Sequence, residues 1–166
     1  RIILENAFVT GDVHLNKDGE ILERQTLIHR LGKLFSAFDY KKTGLEGVEF
    51  AVYAAADIEH PDGVTGICFR KGEQVMTGVR SELKEAFGIT DRVGELNFQE
   101  LYLGQYEIRE LKTAEGYVRD TEPLIFTLAY QDGYTSPVDP QQGRIAWTNP
   151  RQQVNVTITK RDAKTR

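Results

Sequence analysis

Apolar and polar residues alternate with a period of two along at least five stretches of this chain, which restricts it to a β-rich fold. Residues 154–159 are β-branched and alternate strictly. Residues 124–130, 105–110, 48–53 and 12–17 repeat the pattern, with Phe126, Ile108, Phe50 and Leu15 among their apolar members. Turn-forming residues punctuate them at 17–19, 42–44, 60–63 and 131–133. One short helix is expected over 81–87, capped by Ser81, stopped by Gly88, with Leu83, Ala86 and Phe87 turned inward. Residues 20–40 read as an additional hairpin, strand-like from Leu31 to Tyr40. Many short strands with one brief helix predict an all-β, Greek-key β-sandwich.

A length of 166 residues suits one domain with scraps of its neighbours, large enough to form a core without metal or disulfide staples. No apolar run approaches the roughly 20 residues that a membrane helix needs. The net charge is −4 with both signs interspersed, so there is no basic footprint for nucleic acid. The single Cys68 sits in an apolar stretch and reads as a structural thiol. His14, His29 and His60 are scattered, and Asp57, Glu59 and Asp62 lack a calcium-loop spacing, so no metal or cofactor is expected.

Three residues carry possible chemistry. Lys17 continues the apolar face formed by Val13 and Leu15. Glu110 lies on the same strand face as Tyr106 and Ile108. Asn149 closes the run that contains Ile145 and Trp147. If the first and last strands are neighbours, Lys17 and Asn149 meet in the core with Glu110 between them. Desolvation favours the neutral amine of a buried lysine, and a neutral amine is a nucleophile. A buried, protonated Glu can hydrogen-bond to the Asn carbonyl and carry protons to the leaving ammonia. The product is a Lys–Asn amide, made once and within the chain. Lys33 and Lys41 are rival amines, and Asn155 is a rival acceptor.

A weak internal echo supports a repeated architecture: residues 6–17 and 149–160 each begin with Asn and end with Lys. It suggests that 1–11 is the tail of a preceding repeat or linker, 12–159 the domain, and 160–166 the start of a following repeat. Asn6 and Lys160 would then be half-sites of those neighbours.

The stretches 13–18, 45–55, 57–63 and 101–117, closed by Asn149 and the 154–160 strand, resemble a B-type repeat domain of the collagen-adhesin family. These are the SpaA-like, prealbumin-like domains of Gram-positive surface proteins and pilins. The resemblance spans about residues 12 to 159. It departs from the family's usual pattern at Ala114, where Pro is common, and at Gly47-Val48, where Gly-Ala is common. It implies an Ig-like, prealbumin-like sandwich and an intramolecular isopeptide bond between Lys17 and Asn149, with Glu110 as proton shuttle. It also implies a structural stalk module of an extracellular, cell-wall-anchored adhesin or pilus-like protein, partnered by neighbouring repeats of its own chain. A second function class is a ligand-binding adhesin module that uses the 20–40 insertion or the 55–92 loops to hold host matrix protein or glycan. A third, an enzyme acting on external substrates, finds no glycine-rich phosphate loop or Gly-x-Ser-x-Gly elbow to support it.

Overall fold

The computed structural model describes residues 8–78, 82–130 and 144–153, with Arg144 described by its backbone alone. Twelve strands follow in chain order: β1 (Thr10–Arg30), β2 (Lys33–Gly44), β3 (Glu49–Ala54), β4 (Ile58–Glu59), β5 (Ile67–Phe69), β6 (Met76–Thr77), β7 (Lys84–Glu85), β8 (Phe87–Ile89), β9 (Glu95–Tyr102), β10 (Gly104–Lys112), β11 (Leu124–Leu128) and β12 (Arg144–Asn149).

The sheet that matters most for the site is built around β1. Its alternation buries Val13, Leu15, Lys17 and Gly19 and turns Asp12, His14 and Asn16 outward. One edge of β1 takes β12 in parallel, with His14 to Gly19 set against Arg144 to Asn149. The other edge is shared: β9 lies antiparallel over Thr10 to Asn16, and β2 takes over from Asp18 onward. At the handover Lys17 N–H donates to the Gly94 carbonyl and Leu45 N–H to the Lys17 carbonyl, at 2.7 and 2.9 Å. Both backbone groups of Lys17 are therefore held, and its side chain is fixed on the core face.

The facing sheet has the order β11-β10-β3-β8, and β4–β5 and β6–β7 form two small ribbons. Between the sheets lie Val13, Leu15, Ile145 and Trp147 from one side and Phe50, Val52, Tyr106 and Ile108 from the other, all at most 8% exposed. Each such side chain contributes about 1.5–3 kcal/mol when fully buried. Tyr106 stacks on Phe126 at 5.3 Å and donates its hydroxyl to the Tyr102 carbonyl.

The all-β sandwich and the inserted hairpin are as the sequence implies, but four local expectations are corrected. No helix forms over the described part of 81–87. Residues 84–85 and 87–89 are strands, and Leu83 and Phe87 are exposed while only Ala86 of the expected inward trio is buried. Half a dozen residues gain little from an isolated helical turn. The β8 backbone instead pairs with β3, where Gly88 lets Leu96 come within 2.4 Å of where a Cβ would stand. Ser81, its proposed cap, lies outside the described residues.

The turn expected at 17–19 is uninterrupted strand. Gly19 is there for proximity: a Cβ would sit 2.5 Å from the Tyr117 ring and 2.8 Å from Leu45. Likewise 42–44 continues β2, with Gly44 admitting the Val93 carbonyl, and the chain turns later at Glu46-Gly47. The turn of the inserted hairpin falls at Leu31-Gly32, both with positive φ, so the strand-like stretch begins at Lys33. The expected turn at 131–133 and strand at 154–159 lie outside the described residues.

Candidate functional site

The site is the polar end of this core. Lys17, Glu110 and Asn149 are 0%, 2% and 0% exposed. Each is placed by strand alternation: Lys17 follows Leu15 on β1, Glu110 follows Ile108 on β10, and Asn149 follows Trp147 on β12. Lys17 and Asn149 belong to neighbouring parallel strands of one sheet, and Glu110 reaches them from the opposite sheet.

The Lys17 Nζ donates to Asn149 Oδ1 at 2.6 Å, and the Asn149 amide donates to Glu110 Oε1 at 2.6 Å. The Glu110 Oε2 lies 3.0 Å from Nζ but off the direction of a good hydrogen bond. It is the buried side-chain oxygen left without such a partner among the described residues. The Nζ lies 4.8 Å from the Trp147 ring centroid and 5.8 Å from that of Phe50. These rings exclude water from the amine while their faces offer some compensation to a cation.

Burial pushes the Lys17 pKa below that of an ordinary lysine, with the neighbouring Glu110 carboxylate opposing the shift. The amine is thus easier to neutralise than one in water, and a carboxylate oxygen is within reach to take its proton. The amide it touches has its nitrogen, the potential leaving group, against the other oxygen of the same carboxylate.

A second layer holds the trio. Thr113 Oγ1 accepts from the Asn149 amide at 2.8 Å. Arg119 donates to the Glu110 carbonyl at 3.0 Å, and the Trp147 indole donates to Asp120 at 2.9 Å. Thr148 donates its hydroxyl to Asp18, tying β12 to β1 beside the site. Thr113 has no place in the sequence reading, because its role depends on β10 shifting register between Glu110 and Lys112 and releasing the chain toward Asn149. A hydroxyl three residues after a core-facing carboxylate is the one signal that was present. Replacing it tests its role: in Thr113→Val the Asn149 amide loses one of two acceptors, worth about 1 kcal/mol. Amide formation on refolding, followed by intact mass, is expected to slow about fivefold while the fold is retained.

The rival amines are elsewhere. Lys33 and Lys41 are exposed on the hairpin, where Lys41 lies 3.7 Å from Glu23. Asn155, and the half-sites Asn6 and Lys160, lie outside the described residues. Among the described residues no cluster of His, Cys, Asp or Glu is placed to hold a metal. Asp62 instead fastens its own loop, accepting from the Thr65 hydroxyl and the Thr65 and Val64 amides, which hold its carboxyl well below the usual range. Cys68 is half-buried, with its thiol directed at the Ile58 carbonyl.

Two facing four-stranded sheets with a polar cluster at one end define a prealbumin-like module. The chain belongs to the SpaA family of prealbumin-like fold domains, whose pattern matches residues 36–142. Glu110 falls inside that match, while Lys17 and Asn149 flank it. Among solved structures the chain is similar to the minor pilin of the Gram-positive pathogen Streptococcus agalactiae, with a TM-score of 0.54 at 15% identity. That match covers 92% of this chain and 49% of the pilin. A mutant of the shaft pilin SpaA from Lactobacillus rhamnosus GG matches with a TM-score of 0.47 at 19% identity, covering 87% of this chain and 52% of that one. Likeness at such identity speaks for the fold alone, and the chain spans about half the length of these pilins. A comparison with curated proteins returned no significant match.

Proposed function

We propose that this domain is a structural stalk module of a cell-surface adhesin or pilus-like protein, sealed by an amide that Lys17 and Asn149 form with each other. The observation that carries the reading is the buried contact of the Lys17 amine with the Asn149 amide, 2.6 Å apart, with both oxygens of one carboxylate beside them. Membership of a prealbumin-like domain family, with a fold like that of a Gram-positive minor pilin, supports the structural role and an extracellular location on a Gram-positive cell, anchored to the wall through parts of the protein beyond this domain. Neighbouring domains of the same chain are the natural partners.

The chemistry balances without a cofactor. A proton passes from Nζ to Glu110 Oε2, where an O–H also gives that atom the hydrogen-bonding role it otherwise lacks. The neutral Nζ attacks Cγ of Asn149. Glu110 then relays a proton from the attacking nitrogen to Nδ2, ammonia departs, and the carbonyl reforms. The lysine ammonium, the carboxylate and the amide become a secondary amide, a carboxylic acid and ammonia. Fixed placement in a dry site replaces collision, and such positioning is worth effective molarities of about 10⁵ M or more. The reaction consumes its own side chains, so the domain turns over once and is not an enzyme for external substrates.

The mechanical benefit follows from strand direction. Tension applied to the start of β1 and the end of β12 pulls two parallel neighbours past each other in shear. A covalent link between them carries that load and spares everything between residues 17 and 149. Pulled from both ends in a force spectrometer, the domain is expected to withhold the chain between Lys17 and Asn149, 132 steps along the sequence and about 450 Å when extended. The Lys17→Ala variant is expected to release it. Full release from the parent chain would end the stalk reading.

A further inference from the structure

The hairpin formed by β1 and β2 continues well past the sandwich. Among the described residues its last side-chain contacts with the body lie at its base, where Arg151 pairs with Glu20 and stacks on Tyr40, and Tyr117 donates to the Glu20 carbonyl. From Leu22 to Leu31 the arm extends about 30 Å at strand rise. Eight of the eighteen exposed large hydrophobic residues among those described are on it, and Ile21 adjoins its base. They occupy both faces: the Ile28–Phe35 cross-strand pair is on one, and Leu27 and Leu34 are on the other.

Two features of the tip work against the hairpin's own stability. Leu31 occupies the first turn position with φ +51° while 95% exposed, in a turn where Asn followed by Gly is strongly preferred. Arg30 and Lys33 flank it as a directly paired cross-strand couple of like charge. From Arg24 to Phe38 there is no acidic residue, although the chain as a whole is net negative, and Arg24 is already paired with Asp39 at 2.7 Å. Local strain and repulsion kept together at an exposed apex are features expected of a functional tip.

We propose that this tip docks on an anionic phospholipid bilayer, with Leu31 and its apolar neighbours in the interface and Arg30 and Lys33 at the headgroups. Apolar groups on both faces and the apex suit a medium that surrounds the tip, rather than a flat partner that covers one face. Anionic headgroups relieve the Arg30–Lys33 repulsion. The length of the arm exceeds the Debye length of about 8 Å at physiological salt, so the acidic body does not oppose the approach. Among the described residues no further strand pairs with the outer edges of the arm, and the unpaired backbone groups limit entry to the hydrated interface. A second copy is a poorer occupant: two-fold pairing of β2 edges centred on Ala37 sets Lys33 against Lys41. The inference is independent of whether Lys17 and Asn149 join.

The test is sedimentation of the whole chain with vesicles of phosphatidylcholine alone and of an equimolar phosphatidylcholine–phosphatidylserine mixture. Binding is expected on the mixed vesicles only, weakening as salt is raised. Arg30→Ala and Lys33→Ala should each reduce the partition coefficient roughly fivefold. Leu31→Asn should reduce it about tenfold or more, yet leave the melting temperature unchanged or higher, because it relieves the turn. Absence of parent binding overturns the proposal, as does binding that survives Leu31→Asn. So does self-association of the parent that Leu31→Asn abolishes, which would assign the arm to a second copy.

Discussion

The purified, denatured chain is expected to weigh less than its sequence by one ammonia, and the deficit is expected to vanish in both Lys17→Ala and Glu110→Ala. The first variant removes the nucleophile. The second leaves amine and amide but no group to take and return the proton. An Asn149→Ala variant should also show full mass, and digestion of the parent should yield one branched peptide joining the regions of residues 17 and 149. The result is all-or-none for each molecule, since no reductant reverses an amide. Full mass in the parent would remove the site assignment outright and leave a buried ion pair beside a buried amide. Loss of the deficit in Lys17→Ala but not in Glu110→Ala would keep the bond and remove the shuttle.

The second large effect is on stability. A covalent link across 132 residues removes loop-closure entropy from the unfolded chain worth about 5 kcal/mol by the relation used for disulfides. For a domain of this size that corresponds to a melting temperature lower by roughly 10–20 °C when the link is absent. Lys17→Ala should cost more than this, because it also empties part of the core and leaves the buried Glu110 carboxyl and Asn149 carbonyl without their lysine partner, and a buried polar group left unsatisfied costs about 1–3 kcal/mol. The paired variant Lys17→Met with Glu110→Gln removes the link but refills the site with neutral side chains of similar size, and is expected to be more stable than Lys17→Ala. Chemical denaturation of the three proteins separates the two contributions. Equal stability of parent and paired variant would mean that no link constrains the unfolded chain.

Much of this was legible because strand alternation is a strong signal. Lys17 extends the face of Val13 and Leu15, and a lysine in that position has to be either misplaced or functional. Glu110 and Asn149 continue the inward faces of their strands in the same way. That the first and last strands are neighbours was only a condition in the sequence, and the parallel pairing of β1 with β12 is what places Lys17 beside Asn149. What failed was local. The helix expected over 81–87 rested on propensity and a glycine stop, and sheet pairing with β3 outweighed both. The glycines at 19 and 44 read as turns because glycine supplies positive φ. Here they serve close contact with Tyr117 and Val93, which only the tertiary structure reveals. Thr113 was hidden because its partner lies 36 residues away.

The reactive trio spans the sandwich, two members from one sheet and one from the other. The bond therefore cannot be made by either sheet alone. If formed as proposed, it would record that the two sheets have met in register at least once, and the record would outlast any later unfolding. A sealed molecule that is denatured does not return to the ensemble it came from. It refolds from a ring with two tails, with its longest-range contact already made. In a population of such chains, the sealed fraction would count the molecules that have ever been correctly folded, whatever their state when sampled.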